Sequence, residues 1–397
     1  MPASPSRRDV LKSLAGLAVL GSGAAACGES GGSGAAEPST AAPTGQASGT
    51  PLPGSVAAGG RVFGAEWDRH ERTFMSWPSS AAIWGSDLGP VRADIAGIAR
   101  AVAEYEPVVM MASPGQEDAA RSACGGRVEV ITLAVDDLWA RDTVPVFVED
   151  AGRLTGVDFN FNGWGNKQPH DNDAKVGREL LARYGIPRVV APLVAEGGSF
   201  ETDGRGTLLV TESSVVNDNR NPGKSRQRIE DELEQTLGVT RVVWFAGVRG
   251  EDITDAHVDS LVRFTTPGTV LLDRAFPGTP PDSWSRASDQ AQAVLANAVD
   301  ARGKPLDVVE LPQPDPDLIA GHGDSFVSTY ANFYVANGAV FVPRFGDDKA
   351  DDRAQQILRD HFPGRTVVPL SIDTIASGGG GIHCATHDMP AVPPAGR

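Results

Sequence analysis

The chain has 397 residues, of which 41% are hydrophobic and 22% charged, and its formal net charge is −16. This length can bury a substantial core in one large or two ordinary domains. The acidic balance gives no general electrostatic reason to bind nucleic acid or an anionic membrane surface; it suits cationic partners such as guanidinium compounds, or solubility alone. Three cysteines are too few for a disulfide framework, and none has metal-ligand spacing.

Residues 1–27 have the features of an export signal. Arg7 and Arg8 open a charged region, and the apolar stretch Leu11–Leu20 is too short for a permanent membrane span. The arginine pair is typical of the twin-arginine route, and the three alanines before Cys27 resemble a bacterial lipobox. We therefore expect lipidation of Cys27, with the lipid as the sole membrane contact, and anchoring at the outer face of the bacterial cytoplasmic membrane. The alternative is an ordinary cleaved signal with an incidental cysteine.

Residues 28–60 consist mainly of Gly, Ser, Ala, Pro and Thr, with almost no large apolar side chain. Such a segment cannot bury a core, so the sequence predicts a disordered tether. Folded structure is expected to begin near Arg61, and no polar linker interrupts the chain after that point. We therefore predict a single catalytic domain over residues 61–397.

Five amphipathic helices are predicted in this domain, each embedded in several strands. The helices are expected at about 89–105, 172–184, 225–238, 284–300 and 350–361. Strands or β-rich segments are expected at 107–113, 127–135, 143–149, 207–216, 241–245 and 261–272. Pro267-Gly268 and Asn337-Gly338 lie between apolar runs and predict hairpin turns, which argue against a purely parallel sheet. The pattern favours a repeated α/β unit, and a doubly wound sheet is the alternative.

Four short segments carry candidate catalytic groups. They are Trp139–Asp142, Glu196–Gly198, Asp255–Asp259 and Gly378–Cys384. Taken singly, each has an ordinary structural explanation, such as a buried ion pair, a turn or a buried small thiol. Cleavage of a guanidinium carbon–nitrogen bond, however, needs a thiolate nucleophile, carboxylates that bind the planar cation, and an acid/base group with a near-neutral pKa. Cys384, the Asp142/Asp259 pair and His257 supply these groups, and the chemistry requires no metal or organic cofactor.

These segments, in this order, closely resemble the agmatine deiminase and bacterial (Porphyromonas-type) peptidylarginine deiminase family. The resemblance covers nearly all of residues 62–390 and includes further matching segments at 65–71, 75–78, 217–222 and 332–338. It implies a pentein fold, which is a mixed α/β propeller of five ββαβ-type units around a pseudo-fivefold axis. It also implies that Asp142 and Asp259 bind the guanidinium, Glu196 supports the site, His257 is the acid/base and Cys384 is the nucleophile.

The resemblance further implies hydrolytic deimination through a covalent Cys384 amidino intermediate. The substrate would be agmatine, giving N-carbamoylputrescine, or peptidyl-arginine, giving citrulline. Trp139, Arg141 and Trp164 are predicted to contact the substrate, and an aromatic face suits a bound cation. His383 is expected to have a structural role, because strand alternation would point it away from the substrate. Amidino transfer to an amine and guanidine binding without turnover are the alternative functions.

Overall fold

The computed structural model describes residues 60–319, 322–323 and 325–391. The predicted signal at 1–27, including Cys27, and all of the predicted tether except Gly60 lie outside the described residues, so those assignments stay predictions. Within the described part, none of the helices combines the length and the apolar character needed to traverse a bilayer.

One structural unit recurs along the described chain: an antiparallel strand pair, a helix, and a third strand parallel to the second. In one example, Val262–Thr266 and Thr269–Arg274 form the antiparallel pair, the helix Ser283–Leu295 crosses over, and Asp307–Pro312 pairs in parallel with the second strand. The helix is needed because parallel neighbours cannot be joined by a tight turn.

The strands, numbered β1 to β17 in chain order, are Arg61–Val62, His70–Ser76, Val108–Ala112, Val128–Thr132, Val146–Asp150, Arg153–Asp158, Arg188–Val190, Glu201–Thr202, Thr207–Thr211, Arg241–Phe245, Val262–Thr266, Thr269–Arg274, Asp307–Pro312, Tyr334–Ala336, Ala339–Arg344, Thr366–Ser371 and His387–Pro390. The α-helices, numbered α1 to α11, are Ala81–Trp84, Leu88–Val102, Glu117–Cys124, Ala140–Thr143, Gly163–Asn166, Asp173–Tyr184, Glu212–Val215, Arg226–Leu237, Ser283–Leu295, Asp348–His361 and Asp373–Ser377. Short 3-10 turns lie at Gly85–Asp87, Gly197–Ser199 and Val258–Ser260.

In the described residues these strands form five sheets. Their strand orders are β1-β5-β6-β7, β10-β9-β8, β11-β12-β13, β14-β15-β16 and β17-β2-β3-β4. The last sheet joins the two ends of the domain, because β17 pairs antiparallel with β2 while α2 leads from β2 to the parallel strand β3. The doubly wound alternative is therefore wrong, and the repeated ββαβ unit is confirmed.

The five long helices are α2, α6, α8, α9 and α10, and each lies within a few residues of its predicted position. Their ends follow local chemistry. The Ser225 side chain accepts the N–H of Arg228 at the start of α8, and Gly238 ends that helix in the left-handed conformation. The Asn337-Gly338 turn is also confirmed, since Ala336 pairs with Ala339 across it and Gly338 has φ +78°.

Two local predictions are wrong, and both concern segments that carry the site. The strand expected at 143–149 begins only at Val146, because Ala140–Thr143 forms one helical turn. Residues 382–385 form a turn rather than a strand, so alternation cannot predict where His383 points. In addition, the eight-residue helix α3 was not predicted as a separate element. In each case the segment is too short to show a helical period in its own sequence.

The hydrophobic core fixes the position of the nucleophile segment. The buried face of α2 includes Val91, Ile95 and Ile98, which pack into the same cluster as Cys384 and Ile382. Burying an aliphatic side chain of this size stabilises a fold by about 1.5–3 kcal/mol. The turn that carries the thiol is therefore attached to the largest core of the described residues and not to a surface loop.

Candidate active site

Gly198 marks the point at which three predicted site residues meet. A Cβ built on Gly198 would lie 2.5 Å from Nδ1 of His257, 3.0 Å from Oδ1 of Asp142 and 3.2 Å from Oδ2 of Asp259. The backbone N–H of Gly198 also donates to Asp142 Oδ1 at 3.1 Å. Because glycine has no side chain, an imidazole and two carboxylates can converge on the small space beside its Cα, which is too tight for a methyl group.

Cys384 lies beside this space. Its Sγ is 3.6 Å from Asp259 Oδ2, and the residue is only 8% exposed. Asn332 contacts the cysteine twice: its Nδ2 donates to Sγ at 3.2 Å, and its Oδ1 accepts the Cys384 N–H at 3.2 Å. A Cβ on Gly381 would lie 2.5 Å from Asn332 Oδ1, so the glycine leaves room for this amide.

The resting thiol of Cys384 is held in its neutral form. Burial raises its pKa well above the ordinary value, and the carboxylates of Asp259 and Asp142 raise it further because they repel a thiolate. A cation placed between these carboxylates would offset that repulsion. The other cysteine of the described part, Cys124, is buried in α3, and burial raises its pKa to about 11.

Asp142 is presented by the one-turn helix α4, and both of its oxygens are engaged. Oδ1 accepts the N–H of Gly198, and Oδ2 accepts the indole N–H of Trp164 at 2.9 Å. Trp164 adopts φ +55° and ψ +45°, a conformation that non-glycine residues rarely take and that is often found at functional sites. Burial raises the pKa of Asp142, and the imidazole of His257 opposes that rise.

His257 has one ring nitrogen engaged and one free of hydrogen bonds within the described residues. Nε2 lies 3.1 Å from Glu196 Oε2, while Nδ1 has no hydrogen-bond partner and lies 3.7 Å from Asp142 Oδ1. Burial acts to lower the pKa of His257, but the carboxylates of Asp142, Glu196 and Asp259 outweigh it and raise the pKa to about 9. The ring is therefore an imidazolium at neutral pH, with Nδ1 directed toward Gly198 and Asp142.

Glu196 supports His257 from behind. Its two oxygens accept Nε of Arg220 at 2.8 and 3.0 Å, and Arg220 is in turn bonded to Asp255 at 2.8 Å. Burial acts to raise the pKa of Glu196, but Arg220 and His257 lower it below the ordinary value. The carboxylate is therefore ionised and fixed in place, which orients the imidazole.

Asp259 lies in a 3-10 turn and accepts a hydrogen bond from Nδ1 of His383 at 2.7 Å. Burial acts to raise its pKa, but His383, His257 and Arg263 together lower it to about 2. The structure thus brings together all five residues predicted to be catalytic, although they lie in four segments that are far apart in sequence.

Arg141 and Trp139, two of the residues predicted to contact the substrate, differ from each other in what surrounds them. Arg141 is engaged in ion pairs: its guanidinium donates to Glu66 at 2.8 Å and to Asp388 at 3.2 Å, and its contact with the substrate stays a prediction. Trp139 borders the site, since a Cβ on Gly380 would lie 2.4 Å from the indole ring and 3.3 Å from the Cys384 Cβ. Trp164, the third, acts on Asp142 as described above.

Sequence reasoning missed several residues that shape the site. Asn332, Arg220 and Glu66 all fall in segments that matched the family, but nothing in those segments alone indicated what they contact. His383 was expected to be structural, and it instead bonds directly to Asp259. Across residues 60–319, 322–323 and 325–391, no group of three or more His, Cys, Asp or Glu side chains is arranged to hold a metal ion.

The five mixed sheets and the Cys–His–carboxylate site define the pentein class of guanidine-modifying enzymes. Comparisons with known proteins agree. The family described as Porphyromonas-type peptidyl-arginine deiminase matches residues 62–390. An agmatine deiminase of Stutzerimonas stutzeri is 37% identical over 366 residues, covering 86% of this chain and 99% of the relative. One from Medicago truncatula is 34% identical over 360 residues, covering 83% and 96%.

Solved structures give the same result. The agmatine deiminase of Enterococcus faecalis aligns with a TM-score of 0.78 and 28% identity, covering 85% of this chain and 99% of that chain. A substrate-bound agmatine deiminase of C. jejuni aligns with a TM-score of 0.75 and 25% identity, covering 83% and 96%. The chain belongs to the Porphyromonas-type peptidyl-arginine deiminase family, and it is a hydrolase acting on carbon–nitrogen bonds of linear amidines. The predicted family, fold and enzyme class are confirmed.

Proposed function

We propose that this enzyme hydrolyses free agmatine to N-carbamoylputrescine and ammonia. The observation that carries the proposal is the convergence at Gly198 of Asp142, Asp259 and the unpartnered Nδ1 of His257, with Cys384 beside them. Relatives named agmatine deiminase support the choice of substrate. The proposal also assigns the role of each residue.

Asp142 and Asp259 bind the guanidinium. Two carboxylates directed at one space match the paired N–H donors of a planar cation and fix its orientation. The Trp164 N–H holds Asp142, and the His383 N–H holds Asp259, so neither carboxylate needs to reorient when the substrate arrives. The central carbon of the guanidinium is thereby presented to Cys384.

Substrate binding activates the nucleophile. The carboxylates that suppress ionisation of Cys384 are the ones that the guanidinium neutralises, so the bound cation favours loss of the thiol proton to bulk water. Sγ then forms a bond to the guanidinium carbon and gives a tetrahedral adduct. The enzyme is therefore expected to be reactive toward guanidines and sluggish toward neutral alkylating agents.

His257 moves the protons. As an imidazolium it donates a proton to the departing nitrogen, ammonia leaves, and an S-linked amidino intermediate remains. The neutral imidazole then accepts a proton from a water molecule, whose oxygen attacks the amidino carbon. Collapse of the second tetrahedral adduct breaks the carbon–sulfur bond, and the proton on the attacking oxygen returns to Sγ as the ureido product leaves.

Enclosure of the site favours a free guanidine over peptidyl-arginine. Cys384, Asp142 and His257 are 8%, 7% and 4% exposed, so the reacting carbon must enter well below the surface. Agmatine can be enclosed whole. The main chain of a peptide, in contrast, carries polar groups that would need hydrogen-bond partners if buried.

The experiment is to measure ammonia and the ureido product from agmatine, from arginine and from a blocked arginyl peptide. We expect turnover of agmatine with equal amounts of the two products, and at least about tenfold lower kcat/KM for the peptide. Preferred turnover of the peptide would overturn the substrate assignment. Addition of a primary amine tests transferase activity, because an amidino acceptor product in place of the ureido compound would contradict hydrolysis.

We also propose that the enzyme acts outside the cytoplasm, anchored through a lipid on Cys27. The support is in the sequence alone: Arg7-Arg8 before a short apolar stretch, and small residues directly before Cys27. Stable anchoring takes two acyl chains or more, because a single chain binds only marginally. The predicted tether at 28–60 would separate the catalytic domain from the membrane surface by a typical distance of roughly 30 Å.

Cell fractionation tests this location. The wild-type protein should be in the membrane fraction with its N-terminus at a lipidated Cys27, and Cys27→Ser should release or mis-sort the protein while its agmatine turnover is kept. Arg7 and Arg8 changed together to Lys should leave active enzyme in the cytoplasm. A wild-type protein that is cytoplasmic with Met1 intact would contradict the proposal.

A further inference from the structure

His383 lies between two buried carboxylates, and it immediately precedes the nucleophile. Its Nδ1 is 2.7 Å from Asp259 Oδ2, and its Nε2 is 2.7 Å from Glu66 Oε2. Its side chain is almost fully buried, as are those of its two partners. The mechanism above uses one N–H of His383 to hold Asp259, but it assigns no role to the second ring nitrogen or to Glu66.

A neutral imidazole cannot satisfy this geometry. It carries a single N–H, so its other nitrogen would place a lone pair 2.7 Å from a carboxylate oxygen. Either one carboxyl is protonated or both ring nitrogens are. The choice depends on what holds each carboxylate in its charged form.

Glu66 is surrounded by donors. Oε2 also accepts from Arg141 at 2.8 Å, and Oε1 accepts from Arg263 at 3.0 Å and from the Val335 N–H at 2.8 Å. Burial acts to raise the pKa of Glu66, but His383, Arg263 and Arg141 hold it well below the ordinary value. Protonating this carboxylate would remove an acceptor from two buried arginines.

Asp259 is ionised as well. Apart from His383 itself, the cations His257 and Arg263 act to lower its pKa against the effect of burial. The charged or titratable groups packed around this pair are Glu66, Arg141, Arg263, Glu201, His257, Cys384, Asp142, His387 and Asp388. With both carboxylates charged, the remaining site for the proton is the imidazole.

We infer that His383 is a positioning residue whose two ring N–H groups donate to Glu66 and Asp259, and that it thereby holds Asp259 oriented toward the bound guanidinium. This role rests on the proposed binding of a guanidinium by Asp259. His383 touches neither the substrate nor the reacting atoms. It acts through Asp259, and it also joins the Glu66 segment to the turn that carries Cys384.

The charge on His383 can be observed in the wild-type enzyme without any assay of activity. The chain has seven histidines and three cysteines, and Cys384 alone among the cysteines follows a histidine. Labelling with ¹³C,¹⁵N-histidine and ¹⁵N-cysteine therefore assigns His383 through the amide of Cys384. We expect both ring nitrogens of His383 to carry protons at pH 7.5, since each faces a carboxylate oxygen at 2.7 Å. A neutral ring at pH 7.5 would overturn the inference, whether or not agmatine is the substrate.

Kinetic measurements distinguish a positioning role of His383 from a role in packing alone. His383→Gln keeps one donor but removes the positive charge, so Asp259 should protonate at a higher pH. We expect kcat/KM for agmatine to fall about tenfold or more. We also expect the acid limb of its pH profile to move upward by at least about one pH unit, mainly through KM.

The matched control is His387→Gln. His387 is also buried, in β17. Its Nδ1 contacts the backbone carbonyl of Asp388, so this ring does not bridge two carboxylates as His383 does. This variant should leave the acid limb in place. An unchanged limb in His383→Gln, together with a lower rate, would show that His383 only packs and would contradict the positioning role. If His383→Gln fails to fold, the resonance measurement on the wild type still decides the charge.

Discussion

Gly198→Ala tests the guanidinium space with a single methyl group. The added Cβ would lie 2.5 Å from His257 Nδ1, 3.0 Å from Asp142 Oδ1 and 3.2 Å from Asp259 Oδ2. The position does not have a positive φ, so alanine is not excluded by its backbone conformation. The methyl group should therefore act by displacing the imidazole and the two carboxylates to which we assign the guanidinium.

The expected loss follows from the contacts that the methyl blocks. A hydrogen bond to a charged group contributes about 1.5–3 kcal/mol, and displacement of the cation from both carboxylates weakens at least two of them. A loss of about 3–6 kcal/mol corresponds to roughly a hundredfold to ten-thousandfold in kcat/KM. Ammonia release from agmatine gives the rate, and thermal unfolding reports stability.

Gly126→Ala is the matched control. A Cβ on Gly126 meets nothing within 4 Å and the residue needs no positive φ, so kcat/KM and Tm should both stay near wild type. Gly198→Ala itself should lose activity while it remains folded at the assay temperature, since overpacking by one methyl costs about 1–3 kcal/mol. Retention of more than about a third of wild-type kcat/KM would refute the placement of the guanidinium beside Gly198.

Three further predictions concern the reacting groups. Cys384→Ser should abolish turnover without loss of fold, and ammonia release at even a few per cent of wild type would contradict the nucleophile assignment. Asp142→Asn and Asp259→Asn should each lower kcat/KM at least about a hundredfold, because removing one partner of a buried charge pair costs about 3–5 kcal/mol; near-normal activity would place that carboxylate outside the guanidinium contact. The pKa of His257 is raised to about 9, and its protonated form donates the proton to the departing nitrogen. We therefore expect kcat/KM to fall as the pH rises through about 9. An alkaline limb near the ordinary histidine pKa would show instead that the carboxylates do not hold His257 charged.

The long helices and the residue types of the site could be predicted from sequence because their signals are local. α2 and α8 show their buried faces at helical spacing, and Gly238 marks the end of α8. The set of Cys384, His257 and the two aspartates needed no geometry to suggest guanidine chemistry, because the chemistry itself demands those groups.

The contacts between distant segments could not be predicted in this way. Glu66 and His383 are 317 positions apart in sequence, and Asn332 and Cys384 are 52 apart. The ion pairs of Arg141 with Glu66 and Asp388 were not predicted, because a Trp-x-Arg-Asp segment does not say what each of its side chains contacts. The contact of His383 with Asp259 was not predicted, because a glycine-rich turn has no period from which orientation follows.

The most direct test of the mechanism is to find the covalent intermediate. Wild-type enzyme turning over agmatine is quenched in acid, digested and analysed by peptide mass spectrometry. We expect an amidino adduct, equal in mass to the substrate less ammonia, on the peptide that contains Cys384, with Cys124 unmodified because it is buried at the end of α3 without the carboxylates that bind the guanidinium. Turnover in which Cys384 stays unmodified while the adduct appears on Cys124 would contradict the assignment of Cys384 as the nucleophile.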